Sequence, residues 1–316
     1  MKIKIAALAG GVGGAKLAQG LANVLSPDEF SIIVNTGDDF EHLGLYISPD
    51  LDTVCYTLAN MVNASSGWGL KDETFKVLEN IGHLNGPTWF KIGDNDLATD
   101  LMRTQKMKSG ETLTRVTQDF CELWGIKHRV LPMSNEPVRT FVDTKEKGTL
   151  PFQEYFVKNQ FELCVRGIHF KGIDSAKPTK DVIDALKTSD AVIICPSNPF
   201  VSIDPIISLN GIKDILKDKY VIAVSPIIGG KAIKGPLAKM FIEMNIEPSV
   251  RAIADHYRDF LNCLFIDPSD QNDIALKDQS CIITKATNIF LPDLDSRVKL
   301  AAEIVGFLEE KNIKEL

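Results

Sequence analysis

Apolar residues fall in short runs that alternate with amphipathic stretches, and the first run opens the chain. Ile3 to Ala9 is apolar; four glycines follow, and then Leu17, Leu21, Val24 and Leu25 share one helical face. Ser31 to Asn35 (SIIVN) is a second buried strand, so residues 1–35 read as a β-α-β unit. Similar runs recur at 190–195 (DAVIIC), 220–225 (YVIAVS) and 262–266 (NCLFI), each near a helical stretch such as 178–188 or 236–244. Val298, Ala301, Val305 and Leu308 make one stripe of a closing helix. Strands alternating with helices predict an α/β fold, Rossmann-like and doubly wound, with a mainly parallel sheet covered on both faces.

The middle of the chain follows another rhythm. From 53 to 124 the pattern is mainly helical and includes DNDLATDLMRTQKM and ETLTRVTQDFCELW. Two strands, HRVLPM and VRTFVDT, and an aromatic-rich PFQEYFV come next. The expected organisation is a core of 1–52 and 161–316, with 53–160 as a largely helical insertion or cap.

Composition narrows the chemistry. The 316 residues, 44% hydrophobic and 24% charged, suit one large domain or one domain with an insertion. Lys+Arg 35 against Asp+Glu 42 gives a net charge of −7, without the basic footprint of a nucleic-acid binder. Small molecules are the expected partners, with metal ions to reconcile acidic residues and an anionic substrate. Cys55, Cys121, Cys164, Cys195, Cys263 and Cys281 are too far apart in sequence for a zinc knuckle or CxxC pair, and read as reduced thiols. Lys2, Lys4 and IAALAGGVGGA mimic a signal peptide, but Gly10, Gly11, Gly13, Gly14 and Lys16 spoil its apolar helix. No other stretch approaches the roughly 18 apolar residues of a membrane span. The expectation is a soluble, cytoplasmic protein without a membrane partner.

In a doubly wound sheet, ligands sit beyond the carboxyl ends of the strands, which selects loops. AGGVGGAK (9–16) places glycine backbone and a helix N-terminus where a phosphate can approach closely. GxGxxG would need glycine at Lys16, a Walker loop would need Gly-Lys-Ser/Thr at Ala15-Lys16-Leu17, and Asn35 replaces the acid that grips a dinucleotide ribose. Nicotinamide binding is therefore disfavoured; the other use for these glycines is a tight turn. NTGDDF (35–40) offers Asp38 and Asp39 to Mg²⁺, or to an Asx turn. In WFKIGDNDLA, Asp94 or Asn95 can cap a helix with Asp96 in its first turn, or Asp94 and Asp96 can bind metal. CPSNPFVSIDP (195–205) holds Ser197, Asn198 and Ser202 on a proline-fixed backbone suited to a base or phosphate. SPIIGGKAIKGP (225–236) offers Gly229, Gly230 and Gly235 with Lys231 and Lys234 as an anion site.

Together with SPDLDTVCYTLA, LPMSNEPVRT and PFQEYFV, and in this order along essentially the whole chain, these blocks resemble the 2-phospho-L-lactate transferase (CofD) family. The resemblance implies transfer of a 2-phospholactyl group from lactyl-2-diphospho-5'-guanosine to the ribityl 5'-hydroxyl of Fo (7,8-didemethyl-8-hydroxy-5-deazariboflavin). Coenzyme F420-0 and GMP are the implied products, with Mg²⁺ present. It implies Fo binding at Asp50 and Lys91, although relatives carry other polar or basic residues at the lysine position; on spacing alone Asp50 is a turn residue after Pro49. It also places Gly10, Gly11, Val12, Gly13, Gly14, Lys16, Ser197 and Asn198 on the nucleotide side; Gly229 and Gly230 are phosphate contacts on the reading of their loop as an anion site. On this basis Asp50 orients or deprotonates the attacking hydroxyl, and Asp38 or Asp39 holds Mg²⁺ across the pyrophosphate, Asp94 and Asp96 being next in line. Trp68, Trp89, Phe90 and Trp124 are aromatic walls for Fo or core of the 53–160 block. A homodimer is the expected assembly. The donor acid stays open among lactate, enolpyruvate and glycerate.

The alternative is a non-catalytic, UDP-sugar-binding regulator of the related gluconeogenesis-factor family. That group is similar to DDGGSSG where this chain has DDFEHLG, and it lacks a PFQEYFV block. Both differences favour the transferase.

Overall fold

The computed structural model describes residues 3–232, 236–273 and 282–313; Lys2, Lys234, Gly235 and Cys281 lie outside them. The chain opens with β1 (Ile5–Ala9), α1 (Gly11–Val24) and β2 (Phe30–Val34). A short hairpin, β3 (Phe40–His42) and β4 (Leu45–Ile47), leads into helices α2 (Pro49–Leu58), α3 (Lys76–His83), α4 (Asp94–Lys108) and α5 (Leu113–Leu123). Strands β5 (Arg129–Pro132), β6 (Arg139–Thr144), β7 (Gly148–Pro151) and β8 (Val165–Lys171) follow, then α6 (Lys180–Thr188) and β9 (Ala191–Ile194). The last third holds α7 (Asp204–Ile207), α8 (Ile212–Lys217), β10 (Tyr220–Val224), the hairpin β11 (Ile227–Ile228) and β12 (Lys231–Ala232), α9 (Leu237–Glu243) and α10 (Val250–Tyr257). Strands β13 (Cys263–Ile266) and β14 (Ile283–Ala286) and helix α11 (Leu294–Glu310) close it.

Seven strands form one sheet in the order β14-β13-β10-β9-β1-β2-β5, every neighbouring pair parallel. Counting only its own strands in chain order, the sheet reads 3-2-1-4-5-6-7, the doubly wound arrangement with one strand added. Alternate residues feed two apolar layers. Leu8, Ile33 and Ile194 face Val182, Ile212 and Ile253, whereas Ala7, Ile32 and Ile193 face Leu17, Leu21 and Ile304. Helices thus cover both faces, as the continuous apolar runs predict. Helices α1 and α11 meet at Gly20, where a side chain would collide with the Arg297 carbonyl.

The 53–160 block is not wholly peripheral. Its strand β5 pairs with β2 through Ile32–Val130 and Ile33–Leu131 and forms one edge of the central sheet. Val130 and Leu131 are buried there, which accounts for the apolar centre of HRVLPM. Strands β6, β7 and β8 make a separate antiparallel sheet, so this smaller sheet also crosses the boundary expected at residue 160. Among the described residues no helix is long and apolar enough to cross a membrane. The five described cysteines are unpaired, and burial pushes the Cys195 thiol upward.

Candidate functional site

The order of the sheet reverses between β1 and β9, and a cavity of about 770 Å³ opens there, within the range of small-molecule sites. Gly10 is extended and Gly11 turns into α1 with φ +61°, a left-handed value that favours glycine. Gly10, Gly11, Val12, Gly13 and the Lys16 side chain all reach the cavity wall, at the N-terminal end of α1. A helix N-terminus at the wall of a cavity is a ready anion site, although the Gly11 N–H here already bonds Asp50.

The same glycines are demanded by neighbouring loops. A side chain at Gly13 would collide with the Pro196 carbonyl; at Gly14, Cβ would stand 2.6 Å from Ser197 Oγ; at Gly10, 2.7 Å from Asp50 Oδ2. Gly14 is not on the cavity wall, so its expected phosphate contact is replaced by packing against Ser197. Ser197 locks the two loops, donating to the Gly10 carbonyl at 2.8 Å and accepting from the Gly10 N–H at 3.3 Å. Asn198 accepts from the Phe200 N–H at 3.0 Å, and both residues line the cavity.

The fourth loop departs from expectation. Gly229 and Gly230, at φ +58° and +68°, do form an anion-binding nest, but Asp270 fills it, accepting from their N–H groups at 2.9 and 2.8 Å. Neither glycine lines the cavity. A carboxylate of the protein itself takes the place of the expected phosphate.

Asp38 and Asp39 separate in role. Asp38 is on the wall and 6% exposed. Its Oδ1 and the Thr36 Oγ1 are buried without a close hydrogen-bond partner, and Thr140, whose N–H donates to the Gly37 carbonyl at 2.7 Å, has its hydroxyl near the Asp38 carboxylate. Burial, and then the Asp50 carboxylate, push Asp38 well above the usual carboxylate range, against hydrogen bonding from Thr140 and Asn35. Such orphaned oxygens suit a hard cation. Asp39 lies off the wall, accepts from Ser48 Oγ at 3.0 Å, and is lifted by burial to about 7 against the pull of Arg139. Asp39 Oδ1 is likewise buried without a hydrogen-bond partner, so what separates the two acids is that Asp38 alone of the pair lines the cavity. Among the described residues no group of three or more His, Cys, Asp or Glu converges as a metal centre, so an ion at Asp38 needs substrate oxygens to complete its shell.

Asp50 is the second residue of α2, behind Pro49, and so belongs to a helix rather than a free turn. Asn35 Nδ2 donates to its Oδ2 at 2.9 Å and also to the Val201 carbonyl at 3.1 Å, tying β2, α2 and the 196–202 loop together. Burial raises the Asp50 carboxyl to about 6, opposed by the Asn35 hydrogen bond and the Gly11 N–H. Asn35, which on sequence grounds argues only against a dinucleotide site, is the residue that aims Asp50.

The acids of α4 are rearranged too. Asp94 accepts from Thr74 Oγ1 and from the N–H groups of Lys76 and Val77, capping α3 rather than α4, and those bonds hold its carboxyl low. Glu73 reciprocates, accepting from the N–H groups of Asn95 and Asp96 at 3.1 and 2.9 Å. Asp94 is thereby committed and drops out as a metal ligand. Asp96 stays on the wall, where Tyr56 OH donates to it at 2.7 Å and burial raises its carboxyl.

Sequence reading missed the polar face of α2. Pro49, Asp52, Thr53 and Tyr56 line the cavity at i, i+3, i+4 and i+7. The available signal was a helix whose acids and threonines share a stripe at that spacing. Behind it Arg103 pairs with Asp52 and, at 2.7 Å, with Asp100; burial still lifts Asp52 to about 7 and Asp100 to about 9.

The aromatic residues divide. Trp68, 46% exposed, and Phe90 are on the wall beside the exposed Lys91, whose Nζ lies 4.3 Å from the Phe75 ring centroid. Trp89 packs on His42 at 5.1 Å, and Trp124 on Tyr56 and Phe120, each at 5.2 Å. From PFQEYFV, Phe152, Gln153, Phe156 and Val157 reach the cavity.

A family profile described as "2-phospho-L-lactate transferase CofD" matches residues 5–301. The chain is 40% identical over 306 residues to 2-phospho-L-lactate transferase of Methanocaldococcus jannaschii, covering 96% of this chain and 97% of that one. It is 36% identical over 321 residues to phosphoenolpyruvate transferase of Thermobifida fusca, covering 98% of each. A crystal structure of a UPF0052 family member from Bacillus halodurans superposes with a TM-score of 0.62 over 96% of this chain and 99% of that one. At 13% identity that likeness concerns the fold alone.

Proposed function

Because the chain belongs to the CofD family, we propose that it transfers a 2-phospholactyl group from lactyl-2-diphospho-5'-guanosine to the ribityl 5'-hydroxyl of Fo, releasing GMP. The observation that carries this reading is the placement of the Asp50 carboxylate, raised to about 6, beside the glycine-lined N-terminus of α1. An anion cradle and a base titrating near neutrality thus share one cavity.

In the proposed reaction the nucleotide's phosphates lie against the amides of Val12 and Gly13, with Lys16, Ser197 and Asn198 around them, while the Gly11 N–H stays on Asp50. Asp50 accepts the proton of the attacking hydroxyl as the new O–P bond forms. The bond to the bridging oxygen breaks, and GMP leaves with that electron pair. Displacement at phosphorus needs positioning and charge stabilisation more than covalent help, which matches a site built from fixed backbone and one poised base. Fo would lie toward Trp68, Phe90 and Lys91. Asp38, with its unpartnered Oδ1, is the residue suited to hold Mg²⁺. When bound, the ion offsets phosphate charge. The Thr36 and Thr140 hydroxyls stand beside the same carboxylate and can orient around it.

The test is a Mg²⁺-dependent incubation with Fo and lactyl-2-diphospho-5'-guanosine, read by mass spectrometry, with the enolpyruvyl and glyceryl donors in parallel. Matched GMP and phospholactyl-Fo are expected. Faster turnover of the enolpyruvyl donor would move the activity to that of the Thermobifida relative's name. No product with tight UDP-sugar binding would replace the transferase by a regulator. Asp38→Asn should raise the Mg²⁺ concentration for half-maximal turnover about tenfold, the loss of roughly one charge-assisted contact. Asp39→Asn should leave it unchanged. Mn²⁺ titration by electron paramagnetic resonance checks the same ordering without turnover.

A further inference from the structure

Helix α2 carries Asp50 but lacks the usual fixing of its first turn. Its N-cap residue, Ser48, makes no side-chain bond to the helix, because its hydroxyl is given to Asp39. Two side-chain links from outside hold that turn: Asn35 to Asp50, and Arg103 to Asp52. Arg103 is 3% exposed and does not line the cavity, so it touches no substrate. Its guanidinium joins three elements: Asp52 on α2, Asp100 on α4 at 2.7 Å, and the Tyr46 carbonyl on β4 at 3.3 Å. A planar fork with several donors can make all three bonds at once; an ammonium cannot keep that geometry.

We propose that Arg103 is a positioning residue for the transfer: by clamping Asp52 to α4 and β4 it sets where the Asp50 carboxylate stands. This inference rests on the proposed role of Asp50. The link is short, since Asp50 and Asp52 belong to one helical turn. Without the guanidinium, Asp52 and Asp100 lose the one cation that opposes burial, and both carboxyls shift further up. The first turn of α2 then keeps the Asn35 and Gly11 bonds to Asp50 but loses its tie to α4 and β4, and a carboxylate misplaced by about 1 Å can lose 10²-fold in rate.

The experiment compares Arg103→Met, Arg103→Lys, Asp52→Asn, Asp100→Asn, Asp52→Asn/Arg103→Met and Asp50→Asn in steady-state turnover, GDP affinity by calorimetry and thermal unfolding. Arg103→Met should lower kcat about 10- to 100-fold with GDP affinity within about twofold. Arg103→Lys should recover part of kcat, and the double variant should be no worse than Arg103→Met alone. Asp52→Asn, nearly isosteric, should lose about 5- to 10-fold; Asp100→Asn, which breaks the same clamp off the cavity wall, should lower kcat with GDP affinity within about twofold and decides the matter if Arg103→Met does not fold. A lower Tm with unchanged kcat per folded enzyme, or GDP affinity falling in step with kcat, overturns the proposal and leaves Arg103 a fold residue. If Asp50→Asn is inactive while the Arg103 and Asp52 variants turn over normally, this inference alone fails. If Asp50→Asn turns over normally, the base assignment fails first and takes the inference with it.

Discussion

Asp50→Asn is expected to lower kcat by about 10²- to 10⁴-fold, the range general base catalysis contributes, while GDP binds within about twofold of the unsubstituted protein. The amide keeps the shape and can still meet Asn35, so the glycine loop it packs on should not move. What it loses is the capacity to take a proton. The pH profile carries the sign. Burial lifts the Asp50 carboxyl to about 6, so the base is ionised above that pH and protonated below it. Turnover should therefore fall as pH drops through about 6, and the residual activity of Asp50→Asn should lack that limb. An unchanged profile in the variant would assign the limb to another group, Asp38 being the nearest candidate, because its carboxyl is raised by burial and by Asp50 itself.

The parts of the molecule readable from sequence are those where local pattern and tertiary role coincide. Strands β1, β9 and β13 are buried throughout, and β2 and β10 nearly so, with only Ser31 and Tyr220 half-buried, so each reads as an apolar run and announces itself. HRVLPM is equally recognisable as a strand, yet its pairing with β2 across the whole helical block is not, because nothing local encodes the partner. The site divides in the same way. Glycines before a helix signal close approach, but not what approaches: at Gly14 it is Ser197, and at Gly229 and Gly230 it is Asp270, some forty residues on. Asp50 is legible only through the family resemblance, since PD after a serine looks like any turn. Arg103 and Asp100 sit in DNDLATDLMRTQKM, which has the charge content of a solvated helix, and only the fold turns them inward.

Gly13→Ala and Gly306→Ala should move stability in opposite directions, although both place a methyl group on a helix. In an open helical position alanine is favoured over glycine by about 0.5–1 kcal/mol. Gly306, within α11, has no atom within 4 Å of a prospective Cβ, so that gain should appear as a higher denaturant midpoint with unchanged turnover. At Gly13 the same Cβ would overlap the Pro196 carbonyl, which is backbone and cannot swing aside. The 196–202 loop must retreat, at a cost of ~1–3 kcal/mol typical of overpacking, which exceeds the helical gain. The retreat pulls on Ser197, whose hydroxyl holds both the N–H and the carbonyl of Gly10, and Gly10 in turn packs against Asp50. Cradle and base should thus be displaced together, so Gly13→Ala should lose at least about 10²-fold in kcat/KM along with nucleotide affinity. That combined loss separates it from Asp50→Asn, which spares binding. If Gly13→Ala instead bound GDP normally and gained stability as Gly306→Ala does, the loop contact would not be what requires glycine at that position.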